Sequence, residues 1–226
     1  MKLCTLYSGG KDSNLAHYRA SMKHDTSVLL SMVSDRADSY MYHTPNIHLT
    51  GYQARAMNTP LVSRRTSGVP PQENTDLTRT LKEIKKEYDI RGVCVGAVRS
   101  NYQHRIVSEV CRSLNLEVCA PLWHADHEQI VRELIDEKFE VIVVAVAAEG
   151  LGKGWLGRKL DLKALEELVE LNRINGVDVG GEGGEYETLV LDGPLFKRKL
   201  EIISAKRIWD KIRGELVVDE VKLVDK

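Results

Sequence analysis

Six consecutive residues near the start of the chain, Ser8-Gly9-Gly10-Lys11-Asp12-Ser13, combine adjacent glycines with two hydroxyls, a cation and a carboxylate. Paired glycines let the backbone turn sharply and approach a ligand, and the amides of a helix's first turn have no partners inside the helix. Those donors, together with the helix dipole, attract an anion. In such a turn Ser8 and Ser13 add hydroxyl donors, Lys11 adds positive charge, and Asp12 caps the helix or holds a magnesium ion that neutralises phosphate. The plainer alternative is a strand-to-helix turn in which Gly-Gly only permits the bend. The spacing differs from the common G-x-x-x-x-G-K-S/T phosphate loop, because no glycine stands five before Gly10 and Asp12 follows Lys11.

Two further stretches carry chemistry. In Gly180-Gly181-Glu182-Gly183-Gly184-Glu185-Tyr186-Glu187-Thr188, four glycines allow close backbone approach, and three carboxylates spaced two or three apart can converge on a cation, a metal or a nucleophile that needs a base. In Gly96 to Gln103, Arg99 can neutralise phosphate or form a surface salt bridge, Ser100 can donate to phosphate, and Gln103 can recognise a neighbouring polar group. Trp155, in the glycine-rich run 150–157, reads as a hinge anchor or a ligand-stacking surface.

The elements that must position these residues follow from hydrophobic pattern. Leu3 to Tyr7 is a short apolar strand; Leu15, Tyr18 and Met22 recur at helical spacing; Ser27 to Val33 is a continuous apolar strand. A polar and aromatic stretch from Ser34 to Asn46 has little periodicity, as a functional loop has. It lies past a strand's carboxyl end, so Met32 to Asp35 are expected along adenine and ribose and Tyr40 to Asn46 over the site. His43 in it reads as an exposed or locally bonded loop histidine. Residues 47–58 are expected as a helix and 60–66 as a third strand, and Leu77, Leu81, Ile84 and Tyr88 define one helix face whose other side is solvated Lys82, Lys85 and Lys86. Gly92 to Val98 and Leu116 to Ala120 supply the fourth and fifth strands, with a helix through Ile106, Val110 and Leu114 between them. Five strands alternating with helices predict an α/β fold with a doubly wound, mainly parallel sheet.

A boundary is expected at Pro121-Leu122-Trp123, dividing the chain into 1–121 and a smaller α/β unit, 122–226. In the second part Asp126 with Gln129 resembles a capping box, Val141 to Val146 is a strand, Leu162, Leu165, Leu168 and Val169 form a helix starting at Asp161, and the tail reads as strands and turns.

The chain has 226 residues, 42% of them hydrophobic, enough for one large or two small cores. Lys and Arg number 32 against 33 Asp and Glu, so no overall charge favours nucleic acid or membrane, and nucleic acid is not the expected partner. No apolar run reaches a membrane span and no leader pattern is visible, which predicts a soluble cytoplasmic protein. The four cysteines, Cys4, Cys94, Cys111 and Cys119, form no C-x-x-C pair; Cys4 and Cys94 read as buried small hydrophobes.

The first stretch resembles the SGGxDS signature of the PP-loop ATP pyrophosphatases, in which the loop grips the β,γ-pyrophosphate of ATP and the bond between the α and β phosphates is cleaved. SGGKDS at 8–13, GAVRSNYQ at 96–103 and GEGGEYET at 181–188 together resemble the diphthine:ammonia ligase (diphthamide synthetase) branch, in its short single-module form, along essentially the whole chain. The absence of paired cysteines sets it apart from sulfur-transferring PP-loop enzymes. The resemblance implies the HUP, or adenine nucleotide alpha hydrolase-like, fold. It implies ATP with Mg as cofactors, ammonium, and diphthine-bearing elongation factor 2 as acceptor, its carboxylate adenylated and then amidated with release of AMP and pyrophosphate. A homo-oligomer stays open.

On this reading the catalytic residues are Lys11, Asp12, Ser13 and Glu185, with Asp12 as magnesium ligand. The nucleotide is held by Ser8, Gly9, Gly10, Lys11, Asp12 and Ser13, with Met32, Ser34, Arg99 and Ser100. The acceptor is held by Tyr102, Gln103 and Trp155, with Glu182, Gly183, Gly184, Glu185, Tyr186 and Glu187. Its trimethylammonium group suits aromatic faces and nearby carboxylates. One carboxylate could instead hold ammonium and take a proton from it. Two competitors remain: a PP-loop enzyme adenylating a tRNA base or small metabolite, and an ATP-binding sensor without turnover.

Overall fold

The computed structural model describes residues 1–35 and 45–226. His43 and most of the stretch expected to cover the site lie outside the described residues. Five parallel strands, β1 (Lys2–Leu6), β2 (Asp25–Ser34), β3 (Leu61–Thr66), β4 (Gly92–Cys94) and β5 (Glu117–Cys119), form one sheet in the order β3-β2-β1-β4-β5. Helices α1 (Lys11–Ser21), α2 (Thr50–Met57), α3 (Gln72–Tyr88) and α4 (Asn101–Ser113) cover its faces. Strands buried on both faces must be apolar at successive positions, as the central strands β1, β2 and β4 mainly are along their buried stretches, whereas edge strand β3 exposes Ser63, Arg64 and Arg65. Leu3, Leu29 and Cys94 pack with Leu15 and Ala16 of α1 and Ala54 of α2, whereas their neighbours Cys4, Leu30 and Val93 pack with Leu77 and Leu81 of α3 and Val107 of α4. The sheet is therefore doubly wound, as expected. Strand order reverses between β1 and β4, and the crevice past their carboxyl ends is where such sheets bind ligands.

Two details differ from the expectation. β4 ends at Cys94 rather than Val98, because the chain leaves the sheet to pass against the start of α1. There a Cβ on Gly96 would lie 2.9 Å from the backbone of Asp12 and Ser13. Met22 lies just past the end of α1 and is exposed instead of continuing its apolar face. Cys4 and Cys94 are buried as expected, and Cys94 stands opposite Cys119 across the β4–β5 pair.

The second part carries an antiparallel sheet of β6 (Glu140–Val146), β7 (Tyr186–Asp192), β8 (Arg198–Asp210) and β9 (Arg213–Asp225), in the order β7-β6-β9-β8. Helices α5 (His127–Asp136) and α6 (Leu162–Asn175) flank it. Both begin where their caps predict: Asp126 accepts from the Gln129 amide at 3.0 Å and Asp161 from the Ala164 amide at 2.9 Å. The inward face of α6 is Ala164, Leu165 and Leu168, while Leu162 and Val169 are exposed.

One continuous apolar core joins the α1 and α2 face of the parallel sheet to the antiparallel sheet, running from Leu3 and Leu15 through Ala54 to Val143 and Leu189. Buried Gln53 of α2 crosses that junction: its Nε2 donates to the carbonyls of Gly9, at 2.9 Å, and Val190, at 2.7 Å. Gly9 needs to be glycine, with φ at +84° and Gln53 Oε1 2.5 Å from where a Cβ would stand. Gln53→Ala leaves two buried carbonyls without this donor and should cost about 1–3 kcal/mol in a denaturant titration; a change under about 0.5 kcal/mol would show that the junction does not depend on it.

Candidate active site

The phosphate-loop candidate sits between β1 and α1, as its sequence requires. Gly10 is the N-cap of α1, in extended backbone, and Lys11, Asp12 and Ser13 form the first turn. Asp12 therefore does not cap the helix. The loop's own hydroxyls tie it together: Ser8 Oγ donates to Ser13 Oγ at 3.1 Å, Ser13 Oγ donates to the Gly10 carbonyl at 3.1 Å, and the Ser8 amide donates to Ser13 Oγ at 3.3 Å.

The other sheet braces the loop from outside. The Lys11 amide donates to Thr188 Oγ1 at 3.1 Å, and the Val190 amide donates to the Gly9 carbonyl at 3.1 Å, both partners lying on β7. With the Lys11 amide engaged, the first-turn amides of Asp12 and Ser13 are left without a partner within the helix, and both residues line the cavity.

Lys11 does not reach out as a free phosphate ligand. Its side chain is buried, its Nζ donates to the Gly180 carbonyl at 2.5 Å and to Asp12 Oδ2 at 2.8 Å, and it lies 5.5 Å from the centroid of the Tyr186 ring. Burial alone would lower its pKa, but Asp12, Tyr186 and Glu187 outweigh that and hold it above the usual lysine value. Asp12 is thereby committed to Lys11. Among the described residues no group of three His, Cys, Asp or Glu side chains could hold a metal.

The loop borders a cavity of about 560 Å³, within the range of small-molecule sites. Leu6, Tyr7, Leu30 and Met32 give it an apolar wall from β1, β2 and the start of the loop, while Ser8, Asp12 and Ser13 give it a polar end. Gly96, Ala97, Ser100 and Gln103 close a second side. Ser100 caps α4, accepting from the Gln103 amide at 3.3 Å. The third side comes from the far end of the sequence: Gly181, Glu182, Gly183, Gly184 and Glu187. All three sequence stretches thus meet in one cavity.

Several expected site residues do not line it. Ser34 and the Arg99 side chain stand outside it, although the Arg99 amide donates to Glu182 Oε1 at 3.3 Å. Tyr102 projects to solvent beside Arg105. Trp155 is buried under the Arg158 guanidinium, 4.3 Å from its ring centroid, which makes it the anchor rather than a stacking face. Tyr186 is buried with its hydroxyl on the Val179 carbonyl, at 2.6 Å, and Lys11 over its ring, so it offers no face to a second cation. Glu185 turns away, its Oε1 accepting from the Asp178 amide at 3.3 Å.

Residues not singled out from the sequence shape the loop. Asp178 pairs with buried His127, Nδ1 to Oδ2 at 2.8 Å, and its Oδ1 accepts from the Gly180 amide at 2.7 Å and from the Glu182 amide at 3.3 Å. A Cβ on Gly180 would lie 2.8 Å from the His127 ring. The pair therefore fixes the carbonyl that Lys11 grips. A side-chain acceptor two and four residues before loop amides is the Asx-turn signal that could have flagged Asp178.

Glu187, the second residue of β7, is half-buried in the cavity wall. Burial raises its pKa to about 7, with Asp12 adding to the rise and Lys11 opposing it.

A family model described as the diphthamide synthase N-terminal domain matches residues 1–118, and one described as the diphthamide synthase C-terminal domain matches residues 126–224. The chain belongs to the diphthamide synthase family. The diphthine–ammonia ligase of Rattus norvegicus is 38% identical over 92% of this chain and 85% of its own length; that of Homo sapiens is 37% identical over 91% and 84%. In the Schizosaccharomyces pombe relative of the same name, 32% identical, the match spans 98% of this chain but 39% of the longer protein.

The raised Glu187 pKa has a consequence for stability. A carboxyl whose folded pKa lies above its unfolded value supports the fold fully below the unfolded value and loses that support as pH rises through about 7. Glu187→Gln should therefore be more stable than the parent at pH 8, by about 2 kcal/mol after allowance for solvent screening, with the gap shrinking towards pH 4.5. Equal stabilities at both pH values in chemical denaturation would contradict it.

Proposed function

We propose that this chain is an ATP-dependent ligase that converts the carboxylate of diphthine on elongation factor 2 to the amide, with ammonia as nitrogen source. The observation that carries the reading is the meeting of the phosphate loop, the 96–103 loop and the glycine-rich acidic loop around one cavity. That cavity offers apolar surface for a nucleobase at one end and open amides for phosphate at the other. The diphthine–ammonia ligase names of the relatives support the choice of acceptor and nitrogen source.

The chemistry requires both ends. A carboxylate is a poor electrophile because its oxygen is a poor leaving group; attack on the α-phosphate of ATP turns that oxygen into part of AMP, and pyrophosphate departs. Developing negative charge on the departing phosphates would be met by the Asp12 and Ser13 amides and the Ser8 and Ser13 hydroxyls, fixed in advance by their own hydrogen bonds. Lys11 acts from behind this turn, setting the loop's position and adding positive potential rather than a direct contact. Magnesium would enter with the nucleotide's phosphates, as it does where few protein carboxylates are free.

Residues 1–121 are on this reading the nucleotide half and 122–226 the acceptor half. Exposed Glu182 at the cavity rim suits the acceptor's trimethylammonium group better than the covered rings of Tyr186 and Trp155. A substrate on elongation factor 2 accords with a cytoplasmic protein, and among the described residues no helix is long and apolar enough to cross a membrane.

Incubation with ATP, ammonium and the diphthine-bearing factor should yield AMP and pyrophosphate in step with amide; ADP and phosphate would remove the chain from this chemistry. Ser13→Ala should lower kcat/KM for ATP roughly 10- to 100-fold, the scale of one lost charge-stabilising donor, in a coupled pyrophosphate assay. Unchanged turnover would separate the phosphate loop from catalysis.

A further inference from the structure

Four carboxylates stand in or beside the cavity, and three of them are engaged. Asp12 holds Lys11, Glu182 accepts the Arg99 amide, and Glu185 accepts the Asp178 amide. Glu187 alone among these four has no hydrogen bond or ion pair among the described residues, yet it is half-buried and opens into the cavity. A carboxylate removed from water without a partner destabilises the fold. It is also rigidly placed: it is paired in β7 opposite Ala145 of β6, one residue before Thr188, whose hydroxyl holds the first amide of α1.

We infer that Glu187 is the catalytic base that takes a proton from ammonium so that ammonia can attack the activated carboxyl group, an inference that rests on the ligase reading above. Ammonium predominates at neutral pH and has no lone pair. Its proton passes to the Glu187 carboxylate. The nitrogen lone pair then forms the C–N bond at the acyl carbon, the bond from that carbon to the AMP oxygen breaks, and AMP leaves with the electron pair. The nitrogen loses a second proton to water, and Glu187 returns its own to solvent. No oxidant or further reactant is needed.

The electrostatic setting suits the task. Lys11 and Asp12 of α1 face Glu187 with opposite charge, Tyr186 precedes it on the same strand, Glu182 borders the same cavity, and β6 presents uncharged Ala145. Its ionisation at about 7 divides it between acid and base at neutral pH, where a general base works best.

The test compares two nucleophiles in the intact chain with ATP and diphthine-bearing elongation factor 2. Hydroxylamine is already unprotonated at neutral pH and gives a hydroxamate without a base. In Glu187→Gln, amide formation from ammonium should fall at least 100-fold and hydroxamate formation less than 10-fold, the first loss being the scale of general-base catalysis. The parent's ammonium rate should climb and then level off as Glu187 ionises above pH 7, whereas the variant, left with free ammonia alone, should climb steadily toward pH 9. Equal losses with both nucleophiles, or no loss with either, would overturn the inference while leaving the ligase reading in place. Failure of the parent chain to form AMP would remove the ligase reading and this inference with it.

Discussion

The site depends on one clamp: the phosphate loop of the parallel sheet is held by a strand of the antiparallel sheet. Thr188 takes the Lys11 amide, Val190 gives its amide to Gly9, and Gln53 bonds to both segments at once. A Gly-Gly turn has the greatest conformational freedom to lose on folding, so it keeps one shape only when its surroundings fix it. Here β7 does so. The same strand carries Glu187, so the group proposed to handle the nucleophile and the turn proposed to handle the phosphates are held at a fixed separation.

Lys11 extends that clamp in the opposite direction. Its backbone lies in the phosphate loop and its ammonium ends on the Gly180 carbonyl, at the start of the acidic loop. Burying a lysine is costly unless its charge is met, and Asp12 and that carbonyl meet it. The His127–Asp178 pair holds the acidic loop from its other side through the Gly180 and Glu182 amides. Two loops that are 169 residues apart between Lys11 and Gly180 thus behave as one unit around the cavity.

Much of this was readable before any coordinates. The strand and helix alternation, the caps at Asp126 and Asp161, and the three chemically unusual stretches follow from local pattern, and they stand where that pattern puts them. What escaped was long-range. Nothing near Gln53 signals that it will bridge Gly9 and Val190, because that role exists only once the two sheets are apposed. The different settings of Glu182, Glu185 and Glu187 are long-range in the same way. Glu185 precedes β7 and is drawn back to the Asp178 amide, whereas Glu187 lies inside the strand, where its direction is set by pairing with β6. The aromatic residues show the same limit: local pattern offers the faces of Tyr186 and Trp155 to a cation, and only the fold brings Lys11 and Arg158 over them.

The central claim, that an acceptor carboxylate is activated as an acyl adenylate in the cavity shared by the two sheets, is tested most directly by isotope transfer. With both carboxylate oxygens of diphthine labelled with oxygen-18, one labelled oxygen should leave in the phosphate group of AMP for every amide formed, as read by mass spectrometry. Label recovered in pyrophosphate or inorganic phosphate, or AMP without label while amide accumulates, would contradict the account.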